Sequence, residues 1–115
     1  QVQIASAKYT PINEKRLPTG EICDVAGTAM DFREFHDIGS RIGEDDANAQ
    51  TVSGYDHNYI LPGNPGEICY AAAVRDPESR RIVEVFTDMP VYGERACRTR
   101  WKRWHYLWKF RWFML

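Results

Sequence analysis

Residues 68–86 read ICYAAAVRDPESRRIVEVF and predict an antiparallel β-hairpin. Two apolar runs, residues 68–74 and 82–86, flank the turn sequence Asp76-Pro77-Glu78-Ser79. Proline presets the backbone for the first central position of a tight turn, and β-branched residues are typical of strands. This hairpin is the clearest local element of the chain and indicates a β-rich fold.

The segment before the hairpin predicts a further strand. Residues 55–61 alternate in character along their length. Because successive strand residues point to opposite faces, one side of this strand carries every second residue. Those residues are Tyr55, His57, Tyr59 and Leu61. The breakers Pro-Gly-Asn-Pro-Gly at residues 62–66 end the strand.

Shorter strands are predicted nearer the start of the chain. Residues 2–4 place a polar residue between two apolar ones, and residues 21–25 are a second candidate, stopped by Gly27. Residues 38–54 are polar, hold three of the eight glycines, and predict a surface loop. No segment of residues 1–90 sustains the i, i+3, i+4 spacing of a helix, so the predicted class is all-β.

Composition narrows the class of protein. The chain has 115 residues, 43% hydrophobic and 27% charged, which suits one small globular domain. It contains no run of eighteen apolar residues and no basic-then-apolar leader pattern, so neither a spanning helix nor a signal peptide is predicted. The three cysteines are too scattered for a disulfide framework or a zinc site, and no metal is expected.

Charge divides the chain into two parts. Residues 1–90 carry eight Lys/Arg against fifteen Asp/Glu, whereas residues 91–115 carry seven Lys/Arg and one acidic residue. All four tryptophans also lie in residues 91–115. Such an asymmetry indicates a tail with a separate function or a separate origin.

Within residues 2–89, a series of short motifs carries a family resemblance. In order along the chain they are Lys8-Tyr9-Thr10-Pro11-Ile12, Leu17-Pro18-Thr19-Gly20-Glu21-Ile22, Val25-Ala26-Gly27-Thr28, Asp31-Phe32-Arg33, Ile38-Gly39 with Arg41-Ile42, and Gly54-Tyr55-Asp56-His57-Asn58-Tyr59. The series closely resembles the aldose 1-epimerases, the galactose mutarotase family. The hairpin of residues 76–87 is similar to the one that follows in that family.

The resemblance implies a fold and a reaction. The fold is a large antiparallel β-sandwich of about three times this length, here incomplete. The reaction is interconversion of the α and β anomers of an aldohexose such as galactose or glucose. A base removes the proton of the C1 hydroxyl while an acid protonates the ring oxygen, and the ring opens and recloses. Neither a metal nor an organic cofactor is implied.

The resemblance also assigns one site residue. The family uses a glutamate as base, histidines near the ring oxygen and an aspartate that holds sugar hydroxyls. Only the aspartate has a counterpart here, Asp56, so no catalytic residue is assigned. The neighbouring His57 points to the opposite face of the predicted strand and is interpreted as structural. His36 and His105 match no family motif.

The predicted organisation is therefore a fragment of a mutarotase-like β-sandwich at residues 1–90 and a non-family tail at residues 91–115. Three interpretations of the tail are open. It could stack bases or sit at a membrane interface through alternating aromatic and basic residues, or its aromatic face could cover an exposed sheet. The third interpretation, favoured because Trp and Arg codons become Gly codons in a neighbouring frame, is a frame-shifted product.

The sequence thus predicts an aldose 1-epimerase fragment that is inactive as an isolated chain. The alternative is a non-catalytic β-sandwich module that binds carbohydrate. The expected partner is a small-molecule aldohexose, with neither nucleic acid nor membrane. The expected location is the cytoplasm, with export left open because the resemblance implies that the true N-terminus lies outside this sequence.

Overall fold

The computed structural model describes residues 1–41, 54–89 and 91–97, with only the backbone described at residue 54 and at residues 91–97. Seven strands and one short helix make up this part of the chain. They are β1 (Val2–Ile4), β2 (Lys8–Thr10), β3 (Cys23–Asp24), α1 (Ile38–Arg41), β4 (Gly54–Ile60), β5 (Cys69–Arg75), β6 (Ile82–Thr87) and β7 (Val91–Cys97).

The strands form two antiparallel sheets. One has the order β1-β5-β6 and the other has the order β3-β2-β4-β7. Among the described residues only the four-residue α1 is helical. The all-β prediction is confirmed.

A single apolar cluster joins the two sheets. Val2 and Ile4 of β1 contribute from the first sheet, and Tyr9, Tyr55 and Tyr59 contribute from the second. Each of these side chains is at most 3% exposed. The segment between β3 and α1 adds further core residues: Val25, Ala29, Met30 and Phe32. Both sheets and the segment between β3 and α1 therefore pack around one core.

The predicted hairpin is confirmed as β5 and β6. Its loop is closed by a hydrogen bond from the Asp76 backbone N–H to the Arg81 carbonyl, 2.9 Å long. The Asp76 carboxylate accepts from the Ser79 hydroxyl at 2.6 Å, and this bond lowers the pKa of Asp76. Arg80 adopts a left-handed φ of 57°. Along the ladder the register shifts between Tyr70 and Ala72, which marks a bulge.

The predicted alternation of β4 is also confirmed. Tyr55, His57, Tyr59 and Leu61 are all buried, whereas Asp56 and Asn58 between them are half-buried. β4 lies inside its sheet, paired with β2 on one side and with β7 on the other. The side chains of β4 are therefore held from several directions.

The structure differs from the sequence-based expectations at three places. β2 was not predicted, because only three residues separate the Ser6-Ala7 turn from Pro11. The candidate strand at residues 21–25 is reduced to Cys23–Asp24. The predicted loop at residues 38–54 begins with α1, a single turn too short to show helical periodicity; its residues 42–53 lie outside the described residues.

The hairpin carries an exposed apolar group on and beside its strands. Ile68 is 78% exposed, Val83 61%, Phe86 57% and Ile82 52%. In the described part of the chain β6 is the edge of its sheet. Ile82 and Phe86 share one face of β6 and Val83 lies on the other, so both faces of this edge strand expose apolar side chains that could contact another chain.

The second sheet ends in β7, which pairs with β4 from Val91↔Ile60 to Cys97↔Gly54. Residues 98–115, including the aromatic and basic alternation of the predicted tail, lie outside the described residues. In the described ranges no helix has the length and apolar character needed to cross a membrane.

Candidate sugar-binding site

Asp56, the one site residue predicted from the sequence, lies in the first half of β4. Its flanking residues Tyr55 and His57 are buried to 1% and 2% exposure, and Asp56 itself is half-buried. The Asp56 side chain therefore projects from a strand whose neighbouring side chains are fixed in the core. It can accept hydrogen bonds from a ligand at the sheet surface.

Aromatic packing fixes the backbone of β4 on its buried side. The Tyr55 ring meets Phe32 edge to face, with centroids 5.0 Å apart and an interplanar angle of 82°. The Tyr59 hydroxyl donates to the carbonyl of Met30 at 3.1 Å. Both contacts reach the segment between β3 and α1, so β4 is anchored to a loop as well as to its sheet.

His57 contacts the backbone of the candidate site directly. Its Nδ1 accepts a hydrogen bond from the backbone N–H of Asp56 at 3.3 Å. The imidazole also packs edge to face against Tyr9 of β2, with centroids 5.8 Å apart. The structure thus places His57 in the core, beside Asp56 in sequence and facing the opposite way.

The pairing of β4 with β7 was not predicted. Its register places Arg95 opposite Asp56 and Glu94 opposite His57. The only sequence signal for this strand is the β-prone pair Val91-Tyr92 at its start.

A second polar cluster lies between Asp31 and α1. Arg33 donates to the Asp31 carboxylate through Nε at 2.8 Å and Nη2 at 2.7 Å, which lowers the pKa of Asp31. Arg41 donates from Nη1 to the Asp31 carbonyl at 2.8 Å, and its Nη2 lies 3.3 Å from His36 Nε2. These bonds are internal to the segment and tie its two ends together.

No group of three or more His, Cys, Asp or Glu side chains with the geometry of a metal site occurs among the described residues. Cys23 and Cys69 are both free thiols. Among the described side chains of β4, the polar ones on the face opposite the core are Asp56 and Asn58.

The chain is similar to known proteins over most of its length. The family model described as aldose 1-epimerase matches residues 1–92. The galactose mutarotase of Bos taurus is 37% identical over 90 residues, which are 78% of this chain and 25% of the relative. The aldose 1-epimerase of Escherichia coli K12 is 32% identical over 90 residues, 78% of this chain and 26% of the relative.

Solved structures show the same fold. A galactose 1-epimerase from Lactobacillus acidophilus NCFM superposes with a TM-score of 0.61 at 28% identity, over 83% of this chain and 27% of that one. An aldose epimerase homologue from C. elegans gives a TM-score of 0.68 at 18% identity, over 84% and 28%. The chain spans about a quarter of the length of the curated relatives it matches. With a family model that matches most of its length, the chain belongs to the aldose 1-epimerase family.

Proposed function

We propose that residues 1–90 form part of an aldose 1-epimerase that interconverts the α and β anomers of an aldohexose, and that Asp56 holds sugar hydroxyls in it. The observation that carries the proposal is the position of Asp56 within the family match, half-buried on a strand whose neighbouring residues are buried. Galactose or glucose is the proposed partner, and the cytoplasm the proposed location.

The chemistry of a carboxylate suits this role. Its two oxygens can accept hydrogen bonds from two neighbouring hydroxyl groups, and such charge-assisted bonds are stronger than neutral ones. A sugar held this way keeps its anomeric carbon and ring oxygen at fixed positions. Proton transfer then needs a positioned acid and a positioned base, which together lower the barrier by several decades of rate.

The isolated chain is proposed to be inactive. By the family resemblance, the acid histidine and the base glutamate have no counterparts in this sequence, whereas the sugar-holding aspartate does. Glu84 cannot replace the base, because it lies exposed on β6 in the sheet opposite to that of Asp56. General acid and general base each contribute roughly two to four decades, so loss of both leaves only the uncatalysed rate.

A graft tests the role of Asp56. Residues 1–90 replace the matching 90 residues of the bovine galactose mutarotase, and mutarotation of freshly dissolved α-D-galactose is followed by polarimetry. We expect the graft to be active and Asp56→Asn to lower kcat/KM by about one to two decades, as loss of a charge-assisted hydrogen bond does.

Asp24→Asn is the matched control, because it makes the same chemical change at an exposed position of the same sheet. It should leave kcat/KM within about twofold of the parent graft. Equal effects of the two substitutions would remove Asp56 from the site. A graft that binds galactose without turning it over would instead favour the non-catalytic module.

The same assay applied to the isolated chain tests its proposed inactivity. Stoichiometric amounts of the 115-residue chain should leave the spontaneous rate of mutarotation unchanged. Acceleration that survives Asp56→Ala would contradict both the assigned site and the argument from missing partners.

A further inference from the structure

We propose that His57 is a positioning residue for the sugar site: its buried imidazole orients Asp56 by accepting that residue's backbone N–H. The inference rests on the proposed sugar-binding role of Asp56. It adds a function for His57, which the sequence alone favours as structural. Three features of β4 carry it: the direction of its backbone groups, the point where β2 stops, and the packing of the imidazole.

The first feature is the direction of the Asp56 amide. In an antiparallel ladder, the N–H and C=O of one residue face the same neighbouring strand, and successive residues alternate between the two neighbours. The Ser6 hydroxyl, next to β2, donates to the Ile60 carbonyl, so Ile60 faces the β2 side of the sheet. Asp56 precedes Ile60 by four residues, an even number, so its amide faces the same side.

The second feature is the end of β2. Its pairing with β4 runs from Lys8↔Ile60 to Thr10↔Asn58, and Pro11 follows. The Asp56 amide therefore lies beyond the last paired residue of β2. The Nδ1 atom of His57 lies 3.3 Å from the Asp56 nitrogen and accepts its N–H.

The third feature is the packing that holds the imidazole in place. His57 is 2% exposed, and its ring lies edge to face on Tyr9, with an interplanar angle of 73°. An accepting Nδ1 carries no proton, so the proposal assigns a ring proton to Nε2. Packing and tautomer together keep the acceptor directed at the Asp56 amide.

The consequence for the site follows from backbone geometry. The direction of an amide N–H and the direction of the same residue's Cα–Cβ bond are linked through φ. An acceptor that fixes the Asp56 amide therefore also limits where the carboxylate can point. A site that must place a carboxylate against two hydroxyls gains affinity from such preorganisation.

Paired substitutions in the full 115-residue chain test the proposal. In His57→Asn the amide oxygen can occupy the place of Nδ1, whereas in His57→Gln the amide lies one bond farther out, near the place of Nε2. His57→Phe keeps an aromatic ring and removes both nitrogens. A merely structural role would make the variants differ by fit alone, with Phe closest to the parent.

The first readout needs no ligand. In the parent chain, imidazole ¹⁵N shifts should report a neutral ring protonated at Nε2, and the Asp56 amide should exchange slowly with solvent. We expect Asn to preserve the protection of the Asp56 amide, and Gln and Phe to lower it by about three- to tenfold, as loss of one hydrogen bond does. Ring protonation at Nδ1, or equal protection in all three variants, would overturn the proposal.

The second readout separates this proposal from the one on which it rests. The same substitutions are made in the graft with bovine galactose mutarotase, D-galactose is titrated into each, and the shift of the side-chain carbonyl carbon of residue 56 is followed, which is a carboxylate in the parent and a carboxamide in Asp56→Asn. Dissociation constants should rise by about three- to tenfold in Gln and Phe and stay within about twofold in Asn. If Asp56→Asn weakens binding but the three His57 variants bind with equal affinity, the positioning role of His57 is refuted and the sugar-binding role of Asp56 stands. Parent-like titration in the Asp56→Asn graft, or none in the parent graft, refutes the sugar site and this proposal with it.

Discussion

Replacing Phe86 with threonine should weaken self-association of the isolated chain. Phe86 lies on β6, is 57% exposed, and contacts Tyr70 edge to face at 5.5 Å. In the described part of the chain β6 is a sheet edge, where unpaired backbone groups and apolar side chains together favour pairing with another copy. Threonine keeps the β-propensity of the position and removes the aromatic surface.

The size of the effect follows from the exposed area. A phenylalanine buries roughly 150–250 Å² when fully covered, so the exposed part of Phe86 amounts to about 100 Å². At about 25 cal/mol per Å², complete covering in a complex contributes about 2.5 kcal/mol. Covering half of that area corresponds to about a tenfold change in the dissociation constant, and covering all of it to about seventyfold.

Sedimentation velocity over a range of concentrations measures the change. The control is Ile22→Thr, because Ile22 is 60% exposed but lies before β3, away from the β5–β6 hairpin. We expect Phe86→Thr to shift the association curve to higher concentration and Ile22→Thr to leave it in place. A parent chain that stays monomeric, or equal shifts in both variants, would refute the argument.

Two further outcomes concern stability. Tyr59→Phe removes the buried hydrogen bond to the Met30 carbonyl, which still accepts from the Phe32 backbone N–H. Because the carbonyl keeps this donor, we expect the free energy of unfolding to fall by about 1 kcal/mol, less than an unsatisfied buried carbonyl would cost. Urea titration measures this change, and Tyr70→Phe, which removes a hydrogen bond from a half-buried residue to Gln3, should lower the free energy of unfolding by less. Arg33 lowers the pKa of Asp31, so the pair's stabilisation is present above the unfolded value of about 4 and is lost as pH falls through the folded value. Asp31→Asn should therefore flatten the acid side of a plot of melting temperature against pH; an unchanged acid side would show that the exposed pair contributes nothing.

The sequence predicted those elements whose local signals are long enough to be distinctive. β4 has seven residues with strict alternation, and its four predicted inward residues are all buried. The hairpin was predicted because a proline-containing turn separates two apolar runs. In both cases side-chain periodicity and turn chemistry point to the same structure.

Other elements depend on tertiary contacts that no local pattern encodes. β2 has three residues, and it is a strand because β3 and β4 pair with it on either side. The bulge between Tyr70 and Ala72 changes the register inside a run of apolar residues that gives no sign of it. Asp56 was assigned from family motifs. The contact of the His57 imidazole with the Asp56 amide could not be predicted from the sequence and required the structure.

The pairing of β1 with β5 has a consequence during protein synthesis. Val2 lies opposite Val74, and the amide of Arg75 donates to the carbonyl of Gln1. At roughly 5–20 residues per second, a ribosome needs about four to fifteen seconds to add the residues between these two strands. For that interval β1 lacks its β5 partner, and on crowded polysomes the neighbouring nascent chains expose the same segment. The order of translation, and not the stability of the finished sheet, therefore determines how long this segment is available for misassembly.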